Sequence, residues 1–138
     1  MLLPEHEIEV SYDYSNPISW LFKSGTHLLG KPYKIPETDR GIVFAMLAWF
    51  LQDESVAKEM NFDLNKGILL SGPIGCGKTT LFRLLQQLPP PGKKFAMFST
   101  RLVVAEFMQE GYETLLKYSQ GNLMGETRQP KTICFDDL

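Results

Sequence analysis

The sequence predicts an α/β fold with a parallel sheet, preceded by a mostly helical N-terminal segment. Three observations carry this. The short apolar runs "KGILLSG" (66–72), "KFAMFST" (94–100) and "TICFDDL" (132–138) have strand character. Helical periodicity separates them: Leu81, Leu84, Leu85 and Leu88 share one face of residues 77–88, and two shorter helical stretches fill 100–120. The order strand–helix–strand–helices–strand is that of crossover connections between parallel strands.

Residues 1–40 read as an N-terminal segment of unassigned role, and 41–138 as the unit built around the sheet. Within the first, Pro4, Pro17, Pro32 and Pro36 interrupt periodicity. "NPISWLFKSGTHLL" (16–29) predicts a helix, with Asn16 as cap and Pro17 in the first turn. "KPYKIPETD" (31–39) predicts extended chain or turn. A helix starts at Thr38 or Asp39, with Ile42, Met46, Trp49 and Phe50 at steps of three and four, and runs to the turn-rich "MNFDLNKG" (60–67). "PPPG" (89–92) ends the helix at 77–88. Ser99 or Thr100 caps a helix to residue 110, Gly111 breaks it, residues 112–120 resume, and 121–131 form a loop. Trp20, Trp49 and Phe50 are expected in the core.

Composition narrows the function classes. A net charge of −2 supplies no global field for nucleic acid, so any DNA contact would be local or made by a partner. The longest apolar stretch, "GIVFAMLAWFL" (41–51), is too short to span a bilayer, and the N-terminus lacks signal-peptide character. A cytoplasmic protein without a membrane partner is expected. Cys76 and Cys134, and His6 and His27, have no metal-type spacing. Lys93, Lys94 and Arg101 read as solvated surface charges.

Residues 72–79, Gly72-Pro73-Ile74-Gly75-Cys76-Gly77-Lys78-Thr79, match G-x-x-x-x-G-K-[ST] between a strand and a helix. Glycines let backbone N–H groups turn inward onto phosphate oxygens, and the helix behind them aims its positive end at the same point. Lys78 supplies a charge for the β- and γ-phosphates. The Thr79 hydroxyl is a hard ligand for Mg2+, and Thr80 can donate to the α-phosphate. ATP with Mg2+ is the expected ligand pair. Cys76 lies in an electropositive loop, where a thiolate is favoured. Phe62 and Tyr33 are candidates to flank the base.

The third apolar run ends in Asp136 and Asp137. Ligands of parallel sheets sit at the carboxyl ends of strands, where both this pair and the glycine loop belong. Asp136 is assigned to magnesium, and Asp137 to polarising the attacking water.

With both motifs placed, the chain resembles AAA+ P-loop ATPases, in particular DnaC-type helicase loaders and IstB-like transposition ATPases. "KGILLSGPIGCGKTTL" (66–81), "KFAMFSTRLVVAEFM" (94–108) and "KTICFDDL" (131–138) carry the likeness. It covers about residues 62–138 and implies a three-layer α/β/α P-loop NTPase fold. It further implies ATP hydrolysis, self-oligomerisation of the full-length form, and a DNA, helicase or transposase partner in replication or mobile-element transfer. Such ATPases continue with two more strands, a polar sensor and an arginine finger. The resemblance therefore implies the N-terminal half of a domain, expected to hydrolyse ATP weakly by itself. Such a half is expected to fold poorly alone or to pair residues 133–135 directly with 68–70. A small-molecule or nucleoside kinase shares the loop, although no arginine-rich lid is evident. An inactive nucleotide-binding remnant is the other alternative. No N-K-x-D points to a GTPase and no S-G-G-Q to a transport ATPase, while viral-type helicases share the loop and the acids.

Overall fold

Asn16 starts the first helix of the chain by accepting a hydrogen bond from the Ser19 N–H at 3.0 Å, with Pro17 beside it at the first helical position. The structure is a computed structural model that describes residues 16–88, 94–120 and 132–137. These are mixed α/β, mostly helical, with one two-stranded parallel sheet. They fall into two compact units, one within residues 1–92 and one within 93–138.

The first unit is helical. Helix α1 (Pro17–Leu29) buries Trp20 and Leu21 and packs against α4 (Lys78–Gln86). A 3-10 turn at Glu37–Asp39 leads into α2 (Arg40–Leu51). Val43, Met46, Leu47, Ala48, Trp49 and Phe50 are all buried on α2, so this helix is covered over more than a narrow stripe. The expected single helix to residue 59 is instead two. Gln52 turns left-handed (φ 56°), and Asp53 caps α3 (Glu54–Glu59) by accepting from the Val56 N–H at 3.0 Å. A good capping aspartate with polar neighbours outcompetes continuation through Gln52 and Asp53.

Trp49 then ties the following turn to α2: its indole N–H donates to the Lys66 carbonyl at 2.9 Å. On α4, Leu81, Leu84 and Leu85 are buried, as is Leu88 just beyond it, matching the predicted stripe. The Phe50 ring meets Phe82 edge-on at 6.5 Å, which couples α2 to α4.

Residues 66–72 depart from expectation. They lead into the glycine loop without regular structure and belong to no ladder among the described residues. An apolar run becomes a strand only when a neighbour takes up its N–H and C=O groups. Leu69 is accordingly 79% exposed.

The second unit holds the sheet. Strands β1 (Phe95–Ser99) and β2 (Thr132–Asp136) are parallel, with Phe95 opposite Thr132 and Ser99 opposite Asp136. Residues 133–135 thus pair with 96–98, and their expected pairing with 68–70 is not among the described ladders. Helices α5 (Thr100–Glu110) and α6 (Tyr112–Gln120) follow β1 with the predicted break at Gly111. Ser99 stands at the cap position of α5 but makes no side-chain capping bond. Phe98 and Phe135 lie opposite each other in the register, and the Tyr118 ring meets both edge-on at 5.0 and 5.8 Å. Glu106 on α5 accepts from the Lys117 ammonium at 3.0 Å and the Tyr118 hydroxyl at 2.9 Å, which fastens α6 to α5. The predicted stop at 89–92 and the loop at 121–131 lie outside the described residues.

Candidate functional site

The glycine loop lies wholly in the first unit, between residues 66–71, which carry no helix or strand, and α4. Residues 71–77 are exposed, so the loop backbone is open to a ligand. Gly75 and Gly77 have φ of 81° and 91°. A Cβ at either would meet nothing within 4 Å, so the demand for glycine is conformational and not spatial. Gly72 differs: a Cβ there would stand 3.2 Å from the Cys76 sulfur. The Cys76 N–H reaches back to the Pro73 carbonyl at 3.4 Å, and the Leu81 N–H bonds the Gly77 carbonyl at 2.9 Å. Gly77 stands at the cap position of α4 and makes no side-chain capping bond to the helix start.

Lys78, the first residue of α4, folds back across this loop. Its ammonium donates to the carbonyls of Gly72 and Pro73, both at 2.8 Å, and approaches the Cys76 sulfur at 3.6 Å. The cation is thereby fixed over the backbone that the glycines have bent. Thr79 and Thr80 follow in the first helical turn, both half-buried. Fixed cation, bent backbone and helix start together make a concave, donor-rich frame of the kind that suits a multiply charged oxyanion.

A cavity of about 440 Å³ opens on this frame. Gly72, Lys78 and Thr80 line it, as do Tyr33, Ile35 and Val43. Of the two aromatic candidates, Tyr33 therefore lies at the loop. Phe62 instead lines a separate groove with Met46, Trp49 and Ile68. The contribution of residues 29–36 carried no motif in the sequence. What places Tyr33 is the turn after α1, where its N–H donates to the Thr26 hydroxyl at 3.1 Å.

Asp136 and Asp137 belong to the second unit. Asp136 ends β2 half-buried, and its backbone carbonyl accepts from the Thr100 hydroxyl at 2.7 Å, which holds the end of β2 to the start of α5. Asp137 is exposed, with φ of 62°, a left-handed conformation that aspartate adopts more readily than most residues. The strand alternation therefore stops at Asp136. Burial and the Asp136 charge push the Cys134 thiol above its ordinary value. Among the described residues, no three His, Cys, Asp or Glu side chains cluster so as to hold a metal ion. Nor, among them, is any helix long and apolar enough to cross a membrane. Comparison of the chain with protein-family models, with curated proteins and with solved structures found no match.

Proposed function

We propose that residues 72–80 bind the triphosphate of ATP with Mg2+, and that the chain is part of a P-loop ATPase. The observation that carries this is the seat of Lys78. Its ammonium rests on the carbonyls of the first two loop residues, at the start of a helix entered through two left-handed glycines. A solvated surface lysine would gain little from that arrangement, whereas a cation meant for the β- and γ-phosphates needs its position set in advance.

In this reading the backbone N–H groups of residues 74–79 cradle the phosphates. Thr79 is the hydroxyl ligand of magnesium, and Thr80 donates to the α-phosphate. The assignment of Asp136 to magnesium and of Asp137 to the attacking water rests on the sequence alone. Magnesium supplies charge neutralisation between the β- and γ-phosphates. The likeness of the three stretches to AAA+ ATPases supports coupling of hydrolysis to a DNA-processing partner and self-assembly of the full-length form.

The deciding experiment is thermal unfolding of the chain with and without MgATP, beside Lys78→Ala. Ligand at a hundred times its dissociation constant adds about 2.7 kcal/mol to a site present only in the folded state. A transition raised by MgATP in the parent chain and unmoved in the variant is expected. An equal rise in both, or none in either, would refute phosphate binding by this loop.

A further inference from the structure

The cavity at the glycine loop has a mixed lining. Its polar side chains include Lys34, Asp39, Lys78 and Thr80. Ile35, Val43 and Leu81, which are 7%, 4% and 6% exposed, also line it, as does Tyr33. Inorganic phosphate or a sugar phosphate would leave these apolar side chains against water or hydroxyls. A volume of about 440 Å³ suits a ligand the size of a nucleotide.

The Tyr33 ring is held in advance. Gly25 lies directly behind it: a Cβ at that position would fall 2.3 Å from Tyr33 Cδ1 and 2.4 Å from Cγ. No side chain but hydrogen fits there while the ring keeps its place. The Phe22 ring stands 6.5 Å away, tilted by 56°. The bond from the Tyr33 N–H to Thr26 fixes the backbone beneath. A ring already immobilised loses little freedom when a ligand stacks on it. Burial raises the Tyr33 phenol above its ordinary value of 10.0, so it stays neutral at physiological pH.

We infer that Tyr33, seated on Gly25, is the base-stacking wall of the site, so that the chain selects a nucleoside triphosphate with a planar base over a bare triphosphate. This rests on phosphate binding by residues 72–80. It adds a specificity element, 39 residues before Gly72, that no motif marks.

Calorimetric titration with MgATP and with magnesium tripolyphosphate separates the two claims. The parent chain is expected to bind both, ATP the more tightly. Tyr33→Ala should weaken ATP by about tenfold, within the range of base–aromatic stacking. It should leave tripolyphosphate unchanged, which also shows that the variant is folded. Tyr33→Phe should bind ATP like the parent. Gly25→Ala, which displaces the ring without removing it, should reproduce the selective loss. Tripolyphosphate binding with no preference for ATP, or an equal loss of both ligands in Tyr33→Ala, would overturn the base wall while leaving the loop intact. Absence of tripolyphosphate binding in the parent would overturn the loop reading, and the base wall with it.

Discussion

The Lys78 ammonium lies 2.8 Å from the carbonyl oxygen of Gly72, six residues earlier in the chain. The Pro73 carbonyl is equally close, so one tetrahedral cation closes the loop from the inside. A guanidinium is planar, longer, and spreads its donors in a fork. Lys78→Arg, although it keeps the charge, is therefore expected to bind MgATP as poorly as Lys78→Ala. Calorimetric affinities check this; an arginine variant within about threefold of the parent, a difference under about 1 kcal/mol, would show that charge alone suffices.

The two thiols should differ in reactivity. Cys76 is exposed in the loop, with the Lys78 ammonium 3.6 Å from its sulfur. Cys134 is half-buried, and burial with the Asp136 charge disfavours its thiolate. Iodoacetamide at neutral pH is expected to modify Cys76 first, and MgATP to slow that modification but not the reaction at Cys134. Peptide mass spectrometry reads both sites. Equal labelling of Cys76 with and without nucleotide would place the ligand away from the loop.

Glu106 makes the second unit sensitive to acid. The hydrogen bond from the Lys117 side chain, then that from Tyr118, holds its carboxyl below the ordinary 4.5. A lowered carboxyl contributes stability that is present above its unfolded value and lost as pH falls through the folded one. The bond to Glu106 likewise raises Lys117 above 10.5. That contribution is complete below 10.5 and is lost only as pH rises past it. Urea midpoints are thus expected to stay level across neutral pH from this pair and to drop in acid. Glu106→Gln should flatten the acid limb; an unchanged acid slope would remove Glu106 as a source of it.

Asp137 tests the left-handed backbone of the residue that follows β2. At a φ of 62° a β-branched side chain is strained. Asp137→Val should cost about 1–2 kcal/mol, and Asp137→Asn, which tolerates the same backbone, about 0.5 kcal/mol or less. Chemical denaturation of the two variants, side by side, decides it. Equal stabilities would mean that the backbone at this residue relaxes freely.

Trp49 links the helical lead-in to the chain entering the loop. Trp49→Phe keeps an aromatic ring in the core but removes the donor to the Lys66 carbonyl. The expected loss is about 1 kcal/mol, the usual net value of one such bond. Proteolytic cleavage within residues 66–71 should quicken in this variant; an unchanged cleavage rate would show that the bond does not restrain that segment.

Local chemistry by itself determined much of this chain. The Asn16–Pro17 start, the leucine stripe of α4, the break at Gly111 and the lysine behind the glycine loop are each decided within a few residues. Caps, helical periodicity and positive-φ glycines act over that range, so they are legible without a partner. The pairing of residues 68–70 was not, because a strand is defined by a neighbour distant in sequence. Gly25 and Tyr33 show the same limit at the site. The sequence offered Tyr33 and Phe62 alike as candidates to flank a base, and an isolated glycine in a helix did not choose between them. Only the turn that folds residues 30–33 back onto α1 makes the missing Cβ of one the seat for the ring of the other.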